Sequence, residues 1–200
     1  PHPITPPVIE PIASLENPGW EAHRITLCTL TGTYLEAAAH LIAGGETIAE
    51  VSPERLIRPA TVFQLPDCAP GHAITAADLV ETGAQPQVGD AVLLATGWDR
   101  MWNAPRFVED SPYLTPRAMQ WLVETGPSII GGDIPCFDNP ADPQGVNDPL
   151  FRAGCLILAP LVNLRAAPPG RPWLIALPLK IKEVCGTPCR ALLVEGRIGL

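Results

Sequence analysis

Leu30, Tyr34, Glu36 and His40 lie at even spacings in one short stretch. In an extended chain successive side chains alternate, so these four would share one side. That side presents an aliphatic group, a phenol, a carboxylate and an imidazole. His40 titrates near neutral pH, which suits it to general acid–base work, with Glu36 as an orienting or proton-accepting partner. The plainer reading is a pair of pocket polar groups that satisfy each other. Cys136 follows an expected strand and is the candidate nucleophile; with His40 as base it would form a covalent dyad, although most single cysteines are packing residues. Asp133 and Asp138 follow the same strand, a common place for site carboxylates, with loop capping as the simpler role. Trp98, Trp102, Phe107 and Tyr113 could line a pocket for an aromatic ligand. His2, His23 and His72 lie in Pro/Gly-rich or strand-edge contexts and receive no role. Phosphate loops, Gly-x-Ser-x-Gly elbows and dinucleotide-binding glycine motifs are missing from the sequence.

The elements that must position these residues belong to one domain. The 200 residues are 46% hydrophobic, enough for a sizeable core. Only 17% are charged and the net charge is −8, which argues against nucleic-acid or anionic-membrane partners. No apolar run approaches the ~20 residues needed to cross a bilayer. No charged-then-apolar leader is read, and a cytoplasmic location is expected. The six cysteines contain no CxxC pair and read as small buried hydrophobes; structural zinc lacks paired spacing. Proline is the outlier at 25 residues, with Pro1, Pro3, Pro6, Pro7, Pro11 and Pro18 near the start. Residues 1–19 are therefore read as a Pro-rich extended arm, able to reach a neighbouring subunit, and residues 20–200 as the domain.

Local patterns supply the parts. Trp20–Leu30 and Ala60–Leu65 read as strands, and Ser52-Pro53 opens a short helix. Thr75-Ala76-Ala77-Asp78 resembles a capping box and starts a helix through about Glu81. Ala91–Thr96 is a continuous apolar run, expected as a buried central strand. Thr115-Pro116 caps the clearest helix, which carries Met119, Leu122 and Val123 and stops at Gly126. Ser128–Gly132 and Cys155–Leu158 are further buried strands, separated by a short helix opening at Asp148-Pro149. Trp173–Ile181 and Cys189–Glu195 are the last two strands. Alternating strands and helices give a single α/β domain.

The stretch Leu30-Thr31-Gly32-Thr33-Tyr34-Leu35-Glu36-Ala37-Ala38-Ala39-His40 resembles the His-x-Gly-Thr-His-x-Asp-x-Pro-x-His signature of the kynurenine formamidase/cyclase family. Gly32, Thr33 and His40 match it. Leu30 and Tyr34 fall on its first two His positions, Glu36 on its Asp, and Ala38 on its Pro. Gly89–Trp98, Gly132–Asp138, Leu161–Leu164, Ala176–Lys180 and Gly186–Ala191 resemble later family segments, in order. The resemblance implies a swivelling β/β/α-type domain, a homo-oligomer with sites near the interface, and metal-dependent hydrolysis of formamides, cyclic amides or lactones. Of the family's five metal ligands, the later His falls on Asn147 and the Glu on Ala159. Only Glu36 stays a good ligand, and Asn147 offers one weak carbonyl, so no metal and no other cofactor is expected.

Three functions follow. The first is an enzyme of that ancestry acting without metal on a small carbonyl compound, with His40 as general acid/base, Glu36 as partner, and a pocket formed from Tyr34, Trp98, Asp133, Cys136 and Asn147. The second is a non-catalytic protein that binds a small aromatic or acidic ligand. The third is a structural subunit kept for its homodimeric or larger interface.

Overall fold

Strands covered on both faces have no polar side to show, and the three continuous apolar runs form the middle of the sheet accordingly. In the computed structural model, which describes residues 6–17 and 19–196, the chain begins with β1 (Val8–Ala13), β2 (Ala22–Thr26), β3 (Tyr34–Glu36) and β4 (Ile57–Gln64). It continues through β5 (Ala73–Ile74), α1 (Ala76–Glu81), β6 (Ala91–Ala95), β7 (Tyr113–Leu114) and α2 (Pro116–Glu124). The remainder is β8 (Ile129–Gly132), α3 (Asn147–Arg152), β9 (Leu156–Ala159), β10 (Trp173–Pro178) and β11 (Gly186–Val194).

Seven strands close into a barrel in the order β10-β11-β3-β9-β8-β6-β4. β4, β6, β8 and β9 run parallel, and β3, β10 and β11 complete the ring with antiparallel pairings. The expected single α/β domain is the fold observed, with β6, β8 and β9 as its buried strands. Alternation along β6 divides the core in two. Val92 and Leu94 pack with Met119 and Leu122 of α2, whereas Ala91, Leu93 and Ala95 point into the barrel with Leu35, Leu158 and Leu174.

Two of the four expected helix starts carry side-chain caps, and the helix expected at Asp148-Pro149 forms as α3 without one. Thr75 accepts from Asp78 N while the Asp78 carboxylate accepts from Thr75 N, a reciprocal capping box. Thr115 accepts from Ala118 N ahead of Pro116.

Other expectations change. Ser52-Pro53 opens only a 3-10 turn, Pro53–Arg55. The strand expected over Trp20–Leu30 covers only Ala22–Thr26 and pairs with β1 outside the barrel. β1 itself lies in the Pro-rich arm: its pairing places Pro11 opposite His23, at an irregular register where a missing N–H is tolerated. Pro1, His2, Pro3 and Pro18 lie outside the described residues. The last strand starts earlier than expected, at Gly186. The stretch entering the chemistry is not extended throughout: β3 stops at Glu36, and Ala38–His40 coils into a 3-10 turn.

Candidate functional site

β3 is short but held on both sides. Tyr34 pairs with Ala159 of β9 and Pro188 of β11, and Glu36 with Ile157 and Gly186. This enclosure leaves Glu36 only 3% exposed. Past Ala37 the 3-10 turn folds the chain back, with His40 N donating to Ala37 O at 3.1 Å. The imidazole is thereby carried over the carboxylate, His40 Nδ1 standing 2.9 Å from Glu36 Oε1. The expected meeting of His40 and Glu36 occurs, through a turn rather than through strand alternation. The approach is close but misaligned: the buried Oε1 has no donor pointing along its lone pairs.

Cys185, assigned only a packing role from sequence, is the sulfur that reaches this pair. Its Sγ lies 3.7 Å from the same Nδ1. The β3–β11 register puts it there: Ala37 N donates to Cys185 O at 2.7 Å. The next residue must be small, because a Cβ on Gly186 would stand 2.7 Å from Leu35 O. The sequence held one hint, a cysteine just before a glycine that opens a strand, but pairing partners are not written in local pattern.

Leu30, Tyr34, Glu36, His40, Cys136 and Asn147 line one cavity of about 70 Å³, room for roughly two waters. Asn147 Oδ1 is buried there without a hydrogen-bond partner. Cys136 also borders a cleft of about 720 Å³, together with Phe107 and Asp138. The electrostatics sort these groups. Contact with Glu36 raises the His40 pKa above the ordinary imidazole value, against an opposing effect of burial. Burial, reinforced by Glu36, pushes the Tyr34 phenol far up and keeps it protonated. Burial likewise raises the Cys136 and Cys185 thiols. Cys136 makes no hydrogen bond to His40 among the described residues, so the candidate dyad is not assembled and the packing reading of Cys136 stands.

Two expected pocket residues are elsewhere. Asp133 accepts from Thr96 N at 2.9 and 3.0 Å, from Thr96 Oγ1 at 2.6 Å and from Gly97 N at 2.8 Å. It clamps the turn leaving β6, where a carboxyl acceptor satisfies amides that the strand end leaves free. Burial raises its pKa and these bonds oppose the rise. Trp98 is buried in the outer core, its Nε1 donating to Phe107 O at 2.9 Å and its ring stacked on Phe107. Asp138 accepts from the amides of Asn139, Gln144, Gly145 and Val146, which is loop fixing. Trp102 packs edge-on against Phe107.

The five positions that the resemblance assigns to a metal are Leu30, Tyr34, Glu36, Asn147 and Ala159. Four of them form one wall of the cavity together with Glu36, and they supply an alkyl group, a protonated phenol, an amide and a methyl. A hard or borderline ion requiring several anionic or imidazole donors does not fit that set.

The sequence profile of the family described as "Putative cyclase" matches residues 2–139. The chain belongs to this family. Isatin hydrolase of Roseibium aggregatum is 31% identical over 193 residues, covering 81% of this chain and 70% of that protein. Kynurenine formamidase of Geobacillus thermodenitrificans is 30% identical over 171 residues, covering 85% and 78%. Among solved structures, an isatin hydrolase bound to the product analogue thioisatinate superposes with a TM-score of 0.80 at 26% identity, over 94% of this chain and 80% of that one. The family resemblance read from the motifs is thus the family found, and the cyclase-family barrel is the scaffold on which the His40 cavity is built.

Proposed function

We propose that this cyclase-family protein is a hydrolase or cyclase of the kynurenine formamidase and isatin hydrolase kind. It acts on a small amide, lactone or related carbonyl compound without the family's five-ligand metal. One observation carries the reading: His40 meets Glu36 at 2.9 Å on the rim of a cavity whose lining residue Cys136 also borders a larger cleft. With Nδ1 against the carboxylate, Nε2 is the nitrogen left to take a proton from water or a substrate hydroxyl and return it to the leaving group. Tyr34 stays protonated and can donate a hydrogen bond. The substrate body would lie in the cleft, since the cavity admits only a reacting end.

The test is turnover of isatin and of an aryl formamide by chelator-treated protein. Activity should survive chelation, and His40→Ala should lower it by roughly 10²–10⁴, the usual worth of a positioned acid–base group. Turnover by His40→Ala at the wild-type rate defeats the assignment.

The small cavity volume favours a second reading, a non-catalytic subunit in which Leu30 and Tyr34 fill the old site. It predicts no turnover of either compound by a folded protein. Both readings include a homo-oligomer, supported by the exposed Val8, Ile9, Ile12, Trp20 and Ile25 of the β1–β2 hairpin. Both also include a cytoplasmic location; among the described residues no helix is long and apolar enough to cross a membrane.

A further inference from the structure

We propose that Glu36, His40 and Cys185 form a three-ligand site for an exchangeable divalent ion of the zinc class. The site uses one family ligand position, Glu36, and two residues outside that set. A carboxylate oxygen, an imidazole nitrogen and a sulfur all lie within 4.8 Å of one another.

Their geometry argues against the obvious alternative. A Cys–His–Glu relay needs sulfur and carboxylate on opposite ring nitrogens, so that one orients while the other transfers the proton. Here Oε1 at 2.9 Å and Sγ at 3.7 Å both face Nδ1. A single proton on that nitrogen cannot serve both, and Glu36 Oε1 is left buried without an aligned donor. An orphaned buried acceptor is costly. A cation placed among the three atoms removes the conflict, because each then directs a lone pair at it.

The spacing suits zinc. Bonds of about 2.0–2.3 Å at tetrahedral angles put a nitrogen and a sulfur ligand about 3.5 Å apart, against the 3.7 Å found. The mixed thiolate, imidazole and carboxylate set suits zinc or cobalt and disfavours magnesium and manganese. Three protein ligands leave a coordination position open, and the His40 side chain is 34% exposed, so an ion can enter from solvent. The scaffold is fixed on each side: Glu36 on the barrel strand β3, His40 on the turn that follows it, and Cys185 through its carbonyl to Ala37 N. Cys185 must give up its proton to ligate, so binding releases a proton and strengthens as pH rises.

An imidazole metallated at Nδ1 keeps its proton on Nε2 and cannot act as a base. The acid–base reaction proposed above therefore belongs to the ion-free protein, and zinc should switch it off. That consequence rests on the proposed function, whereas the site does not.

The probe is cobalt(II) added to the reduced, chelator-treated full chain, followed by zinc competition. The expected result is one cobalt per chain with a thiolate-to-cobalt charge-transfer band, displaced by zinc and unaffected by excess magnesium. Cys185→Ser should abolish the band and weaken zinc binding beyond the roughly 10–100-fold that loss of an outer-shell partner brings. Cys136→Ser should leave both unchanged. As a check independent of any variant, zinc should protect Cys185 of the wild-type protein from alkylation. A band that persists in Cys185→Ser, absence of cobalt binding, or alkylation of Cys185 at an unchanged rate overturns the site. Intact zinc binding without loss of turnover counts against the acid–base reading instead.

Discussion

His40 draws its character from Glu36, and that dependence has a sign. Its pKa is raised chiefly by the Glu36 contact, so the neutral base fills only above the ordinary imidazole value of about 6.5. The kcat/KM profile should rise with pH through an inflection above that value, and Glu36→Gln should move the inflection down. An unmoved inflection would show that the pair is not coupled. Stability carries the same sign: a raised folded pKa adds stability fully present below the unfolded value and lost as pH climbs through the folded one. The urea midpoint difference between wild type and His40→Ala should therefore shrink as pH rises. The effect will be small, since a third of the ring is in water. His40 and Glu36 were legible as a pair because they are near neighbours in sequence. Cys185 was not, lying 145 positions from His40.

Elements with strong local signatures match the reading made from sequence. The Thr75–Asp78 box satisfies donors that any helix start leaves free, so Thr75→Ala should cost about 1 kcal/mol in urea unfolding. Asp133→Ala should cost more, about 2–4 kcal/mol, because the amides of Thr96 and Gly97 would be stranded in a buried turn. A midpoint within error of wild type for Asp133→Ala would mean that water replaces the carboxylate. β3, β5 and β7 gave no warning: strands of two or three residues are too short to show a period. Such segments become strands because their neighbours offer edges, and β3 draws its pairing from β9 and β11 on its two sides.

At the scale of the molecule, closure of the barrel decides where everything meets. At Gly131 a Cβ would stand 2.8 Å from Leu158 O and 2.7 Å from Leu93 Cδ2, so β8 can lie between its neighbours only without a side chain there. Gly131→Ala should lower stability by about 1–3 kcal/mol through overpacking, measured by thermal or urea unfolding. The β1–β2 hairpin stands outside the barrel with Ile9 and Ile25 paired and exposed. Ile9→Asp combined with Ile25→Asp should reduce the mass seen by light scattering to that of one chain while the barrel stays folded; an unchanged mass places the interface elsewhere. By itself the sequence determined the α/β class, the buried strands β6, β8 and β9, the Thr75 and Thr115 helix caps and the nearness of His40 to Glu36. Each of these rests on neighbours within a few residues, where period and capping chemistry act. Only the tertiary structure decided that Asp133 and Trp98 serve the frame, that the cavity holds about 70 Å³, and that Cys185 joins His40. Those outcomes depend on strand register, set by packing between segments far apart in the chain, which no local pattern encodes.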